Sequence, residues 1–177
     1  MTPIKLIRQA VEEAVKQDDQ SHSHISLLTS SERNIASHIR AALESIIRKS
    51  GELNGYQVDV EYNRQGKGDD PKKFDGKKVV PDIIVHKRGI TYEEDRDANY
   101  LCVEIKVIDN FNGKKDSIPT AKGKRNFAKD KYKLVLARSE KQYKHAAFLI
   151  FNRRGECFLE IDNDAEYNDA FSLLPLT

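Results

Sequence analysis

The chain has 177 residues, of which 38% are hydrophobic and 33% charged, with a formal net charge of +2 and no tryptophan. That length fits one domain with a modest core, and the near-neutral balance excludes a globally basic nucleic-acid-binding protein, so any such surface has to be local. Charges throughout 1–16 leave no apolar stretch for a signal peptide, no apolar run reaches membrane-spanning length, and Cys102 and Cys157 sit far apart in apolar runs, as thiols of a reducing compartment do; the expectation is a cytoplasmic protein with no membrane partner.

Taken in chain order, Ile4, Ile7, Ala10, Val11, Ala14 and Val15 recur at helical spacing behind Pro3, which suits a first turn. They predict a helix over 3–17. Asp18 to His24 reads as a polar loop, whose His22 and His24 are ordinarily just solvated. A second helix is predicted from about Ser30 to Lys49, with Ile35, Ile39, Leu43, Ile46 and Ile47 as its stripe and Gly51 as its stop. Thr29-Ser30-Ser31-Glu32 has the pattern of a capping box. Tyr56 to Tyr62 alternates as a strand, and 63–78 reads as a loop rich in Gly, Asp and Lys. Val79 to His86 and Tyr100 to Ile108 are two further strands, 109–125 a basic loop, 126–139 a helix and 146–151 a strand. Arg153-Arg154-Gly155 turns the chain into a last strand over 157–161, and the weakly patterned tail holds a short helix over 165–173. Three consecutive strands predict an antiparallel meander, and the helix after the third serves as a crossover that returns the next strand into a mixed sheet.

The chemistry concentrates between Val79 and Val107. Val80-Pro81-Asp82-Ile83-Ile84-Val85 opens a strand on an acid. Leu101-Cys102-Val103-Glu104-Ile105-Lys106-Val107 sets Cys102, Glu104 and Lys106 on one face, while Leu101, Val103, Ile105 and Val107 turn to the other. Taken alone, Glu104 and Lys106 make an ordinary exposed charge pair. An antiparallel hairpin, however, brings the start of one strand beside the end of the next, and so brings Asp82 to Glu104 and Lys106. Two acids and a lysine converging on one spot can hold a divalent metal and a polarised water against a phosphodiester.

Pro81-Asp82 followed by Glu104-Ile105-Lys106 on the next strand resembles the PD-(D/E)xK nuclease superfamily. The flanking Val60-Glu61-Tyr62-Asn63-Arg64, His86 with Arg88-Gly89, and Asp130 with Lys133-Leu134 are similar to small bacterial and phage members, over roughly 31–152. The resemblance implies a restriction-endonuclease-like α/β core, a central mixed β-sheet flanked by helices in the order α-β-β-β-α-β. Here that core spans 30–162 of a single domain, with an extra N-terminal helix and polar loop (1–24) before it and a tail (163–177) behind. It implies Mg²⁺, or Mn²⁺, held by Asp82, Glu104 and the backbone carbonyl of Ile105. Lys106 would orient or help deprotonate the attacking water. A first-helix glutamate often completes such sites, and Glu32 is the candidate, although the capping box explains it equally well. Glu44 lies off the helix stripe. Glu61 is either a site-side acid or an exposed one. Lys133 is either a site residue or half of a surface i,i+3 pair with Asp130.

The expected function is a metal-dependent endonuclease acting on DNA. The alternative is a catalytically inactive member of the fold that binds nucleic acid or another protein. Phosphate contacts are expected from Lys72, Lys73, Lys77 and Lys78 before the second strand and from Lys122, Lys124 and Arg125 after the third, with Lys133 as a further one. Glu93, Glu94, Asp95 and Asp97 fall at the opposite end of the hairpin. No separate DNA-reading domain is visible, which leaves room for a homodimer or a targeting subunit.

Overall fold

A computed structural model describes residues 1–20, 31–60, 73–74, 77–78, 80–91, 93–108, 130, 132–138, 143–151, 156–162 and 172–175. Helix α1 (Pro3–Gln20) packs on α2 (Glu32–Ser50). The strands are β1 (Gln57–Val60), β2 (Lys73–Phe74), β3 (Lys77–Lys78), β4 (Ile83–His86), β5 (Asn99–Val107), β6 (His145–Phe151), β7 (Glu156–Asp162) and β8 (Ser172–Pro175). A third helix, α3 (132–138), lies between β5 and β6. The α/β class and the mixed sheet are as expected. Six strands run β1-β4-β5-β6-β7-β8 across the sheet, while β2 and β3 pair separately as a two-stranded ribbon.

Register places the site. β1 and β4 are antiparallel, as are β4 and β5, with Ile83 opposite Val103 as the last ladder pair of β4. β5 and β6 are parallel from Leu101–His145 to Val107–Phe151, so the segment containing α3 is the crossover. The sheet is covered on both sides. Ile83, Val85, Leu101, Val103 and Ile105 join the α1–α2 cluster. Ile84 and Cys102 pack instead with Leu134 and Ala137 of α3 and with Ala146, Phe148 and Ile150. From Leu101 onward β5 therefore alternates: its odd-numbered side chains feed the α1–α2 core, and its even-numbered ones face α3 and then become the site, while Tyr100, beside a register irregularity, packs in the α1–α2 core.

Three details differ from the sequence pattern. Lys73–Phe74 and Lys77–Lys78, within the expected loop, form the β2–β3 ribbon, which is too short to leave a periodic signal. Ser172–Pro175, at the end of the expected tail helix, is a strand paired with β7; Leu173 and Leu174 alone do not distinguish a helical from an extended run, and Pro175 suits an edge strand. Helix α2 starts two residues later than the capping box required. Its N-cap is Ser31, whose hydroxyl accepts from Asn34 N at 3.3 Å, and Gly51 closes it in the left-handed conformation at φ 68°. Glu32 is thus the first helical residue, not the third, and has no reach-back to make. Cys102 and Cys157 are buried free thiols, as their apolar surroundings in the sequence predict, and burial pushes the Cys157 thiol far above its ordinary range. Among the described residues no helix is long and apolar enough to cross a membrane.

Candidate active site

β5 is longer than β4, and the excess builds the site. Beyond the Ile83–Val103 pair, β5 continues through Glu104, Ile105, Lys106 and Val107 with no β4 ladder partner on that edge. The amides of Ile105 and Val107 point to that edge, and buried amides need acceptors. Two side chains supply them. Asp82 Oδ2 accepts from Ile105 N at 2.6 Å, and Glu32 Oε1 accepts from Val107 N at 3.2 Å. The N–H and C=O of one extended residue face the same edge, so the Ile105 carbonyl is directed into the same gap as Asp82.

Glu104 lies opposite Asp82, one step past the final ladder pair. Glu104 is only 2% exposed. Burial first, and then the neighbouring Asp82 charge, push its carboxyl up to about 8. Burial also raises Asp82, against the Ile105 amide and Lys106, which favour its ionised form. The two carboxyl groups titrate as a coupled pair, and both resist losing their protons.

Two lysines and a third acid complete the cluster. Lys106 Nζ contacts Glu32 Oε2 at 3.2 Å and Asp130 Oδ2 at 3.1 Å. Lys133 Nζ contacts Asp130 Oδ1 at 2.7 Å and Glu104 Oε1 at 3.5 Å. Burial opposes the charge on each lysine, but the hydrogen bonds to Asp130, with Glu32 or Glu104 adding to them, hold both above the ordinary lysine range. Asp130, against its own burial, is held low by Lys133 and Lys106. Acids and lysines thus alternate along Glu32–Lys106–Asp130–Lys133–Glu104, with Asp82 as a second acid beside Glu104, drawing on α2, β5, the crossover segment and the approach to β4.

Of the sequence candidates, Asp82, Glu104, Lys106, Glu32, Ile105 and Lys133 come together here. Lys72, Lys122, Lys124, Arg125 and Glu61 lie outside the described residues; Lys73, Lys77 and Lys78 fall on the β2–β3 ribbon. Glu44 is apart from the site, paired with Arg40 at 2.6 Å. At the far end of the β4–β5 hairpin the acids are partly neutralised, Asp95 by Lys87 at 2.7 Å and Asp97 by Lys144 at 2.9 Å. Sequence reasoning assigned Asp130 no role of its own. Its spacing to Lys133 signalled a local pair, and only the crossover shows that the pair faces β5.

Among the described residues no three His, Cys, Asp or Glu side chains are grouped for a metal ion. The available donors are the Asp82 and Glu104 carboxylates and the Ile105 carbonyl. All are hard oxygens, and burial together with the Asp82 charge opposes ionisation of Glu104, a repulsion that a divalent cation would relieve. That set fits Mg²⁺ or Mn²⁺, which keep several waters. A cavity of about 430 Å³ opens elsewhere, between α2 and β1, and none of the site residues lines it. Comparison with family models, with curated proteins and with solved structures gives no match to this chain.

Proposed function

We propose that the chain is a metal-dependent nuclease of the PD-(D/E)xK kind, with a restriction-endonuclease-like core, and that it hydrolyses phosphodiester bonds in DNA. The observation that carries this reading is the pairing of Asp82 with Glu104 at an open strand end, with Lys106 on the same face of β5. A divalent ion bound by Asp82, Glu104 and the Ile105 carbonyl would supply Lewis-acid charge stabilisation at the phosphate.

The chain's own residues divide the remaining work. Lys106 is an ammonium at neutral pH, because its acidic partners stabilise the charge. It therefore donates hydrogen bonds, orienting a water and offsetting charge that develops on the phosphate oxygens; proton abstraction falls to another group. Glu32 fixes the Lys106 stem by holding both its amine and the next backbone amide. Lys133 adds a second fixed positive charge on the opposite side of Glu104.

A second reading, a non-catalytic module of the same fold, draws support from one observation: Glu32, Lys106, Asp130, Lys133 and Glu104 are joined by contacts among themselves. The deciding experiment incubates purified protein with double-stranded, single-stranded and branched DNA in Mg²⁺ or Mn²⁺. Metal-dependent cleavage is the expected result. An inert protein on all three substrates selects the second reading.

A further inference from the structure

We propose that Asp130 is a positioning residue, the single carboxylate that sets both site lysines in the places from which they act. The inference rests on the nuclease reading and goes beyond it, since nothing in the strand motif calls for an acid on the crossover helix.

The two oxygens of Asp130 are divided. Oδ2 takes Lys106 at 3.1 Å and Oδ1 takes Lys133 at 2.7 Å. Asp130 is only 6% exposed. An acid so withdrawn from water has to be compensated by fixed partners, and the two ammonium groups are those partners. A solvated i,i+3 pair on a helix surface contributes little. Here the same pair is bonded to a strand lysine as well, which converts it into a tertiary clamp between α3 and β5.

The clamp has a directional effect. Lysine is a point charge on a flexible stem and settles wherever negative charge is densest. Lys133 has a second partner, Glu104, at 3.5 Å, the longest contact of the network. Without Asp130, Lys133 would be drawn fully onto Glu104, covering an oxygen the metal requires. Lys106 would be left with Glu32 alone and drawn away from the Asp82–Glu104 side. Asp130 therefore keeps one lysine off the metal ligand and the other beside it.

The test compares the wild-type full chain with Asp130→Asn, which keeps shape and removes charge, by two readouts. The first is independent of activity: the rate at which Lys106 and Lys133 are reductively methylated, read by mass spectrometry against Lys144 in the same molecule. The expected result is protection of both lysines in the wild type and its loss in the variant. The second is cleavage kinetics: kcat should fall by about 10–100-fold, the usual effect of losing a group that orients functional side chains, with KM changed by no more than about threefold. Unchanged methylation in the variant overturns the inference whatever the activity. Lost protection with kcat within about twofold of wild type overturns the positioning role and leaves the nuclease reading standing. A wild type that cuts no DNA overturns the nuclease reading, and the inference with it. Should the variant fail to fold, the wild type alone decides: Lys106 and Lys133 as reactive as Lys144 are not held, and the inference falls.

Discussion

Asp82 and Glu104 face each other one step beyond the last ladder pair of β4 and β5, close enough that the Asp82 charge adds to burial in raising the Glu104 carboxyl. Asp82 is held by the Ile105 amide at 2.6 Å. The pair is thus fixed by backbone geometry and strained by charge, the combination that makes a cation-binding site responsive to pH.

The first prediction concerns stability against pH. Glu104 is raised in the folded protein by burial and by Asp82, from an ordinary value of 4.5 to about 8. Between those values the folded state retains a proton that the unfolded chain has released, so stability falls as pH rises through that window and levels off above it. The contribution is on the order of a few kcal/mol. In metal-free protein the thermal midpoint should drop from about pH 5 to about pH 8, and Glu104→Gln should remove most of that slope and melt higher than wild type at the alkaline end. Mg²⁺ should raise the midpoint of wild type more at the alkaline end, because binding displaces the proton. A slope of the same size in Glu104→Gln would assign it to other groups.

The second concerns the divalent ion and the motif. Mg²⁺ or Mn²⁺ should support cleavage and Ca²⁺ should support little, since its larger and looser shell holds substrate without enforcing the in-line geometry. Asp82→Ala or Lys106→Ala should lower cleavage by at least about 100-fold with the far-ultraviolet spectrum retained. Two purified variants as active as wild type would place the chemistry elsewhere.

The third concerns the entry to α2. Ser31→Ala removes the hydroxyl that accepts from Asn34 N and should cost about 1 kcal/mol in unfolding experiments. Glu32 is the next residue, so fraying of this turn should also loosen Lys106 and lower cleavage. Ser31→Asp, which preserves an acceptor and suits a helix N-terminus, should restore both. Stability restored without activity would separate the cap from the site.

The fourth concerns substrate affinity. Lys122, Lys124 and Arg125 are expected to contact phosphates without reading sequence, because lysines are mobile point charges poorly suited to base edges. Each duplex phosphate contact gives a log–log salt slope of about −0.9, so neutralising all three should flatten the slope and weaken every sequence alike. An unaltered slope removes these three residues from the interface; a loss confined to one sequence makes them base readers.

The strand motif was legible in the sequence because two constraints coincide there. The alternation of β5 fixes which side chains share a face, and hairpin connectivity fixes which end of β4 they meet. Glu32 was ambiguous for a local reason: two residues of shift in the cap decide whether its carboxylate turns back on its own helix or reaches β5, and the three hydroxyls of 29–31 leave that shift open. Asp130 was hidden for a tertiary reason. Its value comes from Lys106, which is adjacent to it only after the crossover has packed α3 on the sheet. The β2–β3 ribbon and β8 escaped notice because two- and four-residue strands carry too few alternations to register.

The two-sided alternation of β5 also has a consequence for how the sheet assembles. A slip of one residue against β4 and β6 would turn Glu104 and Lys106 into the oily layer under α1 and α2 and expel Ile105 from it. Charges buried there without partners would cost several kcal/mol, so mispaired sheets are penalised from the moment the layer begins to close. The groups that would act on substrate also serve as proofreaders of the fold, and a variant that replaced Glu104 and Lys106 with apolar residues would gain cohesion while losing the means of telling the right pairing from the wrong one.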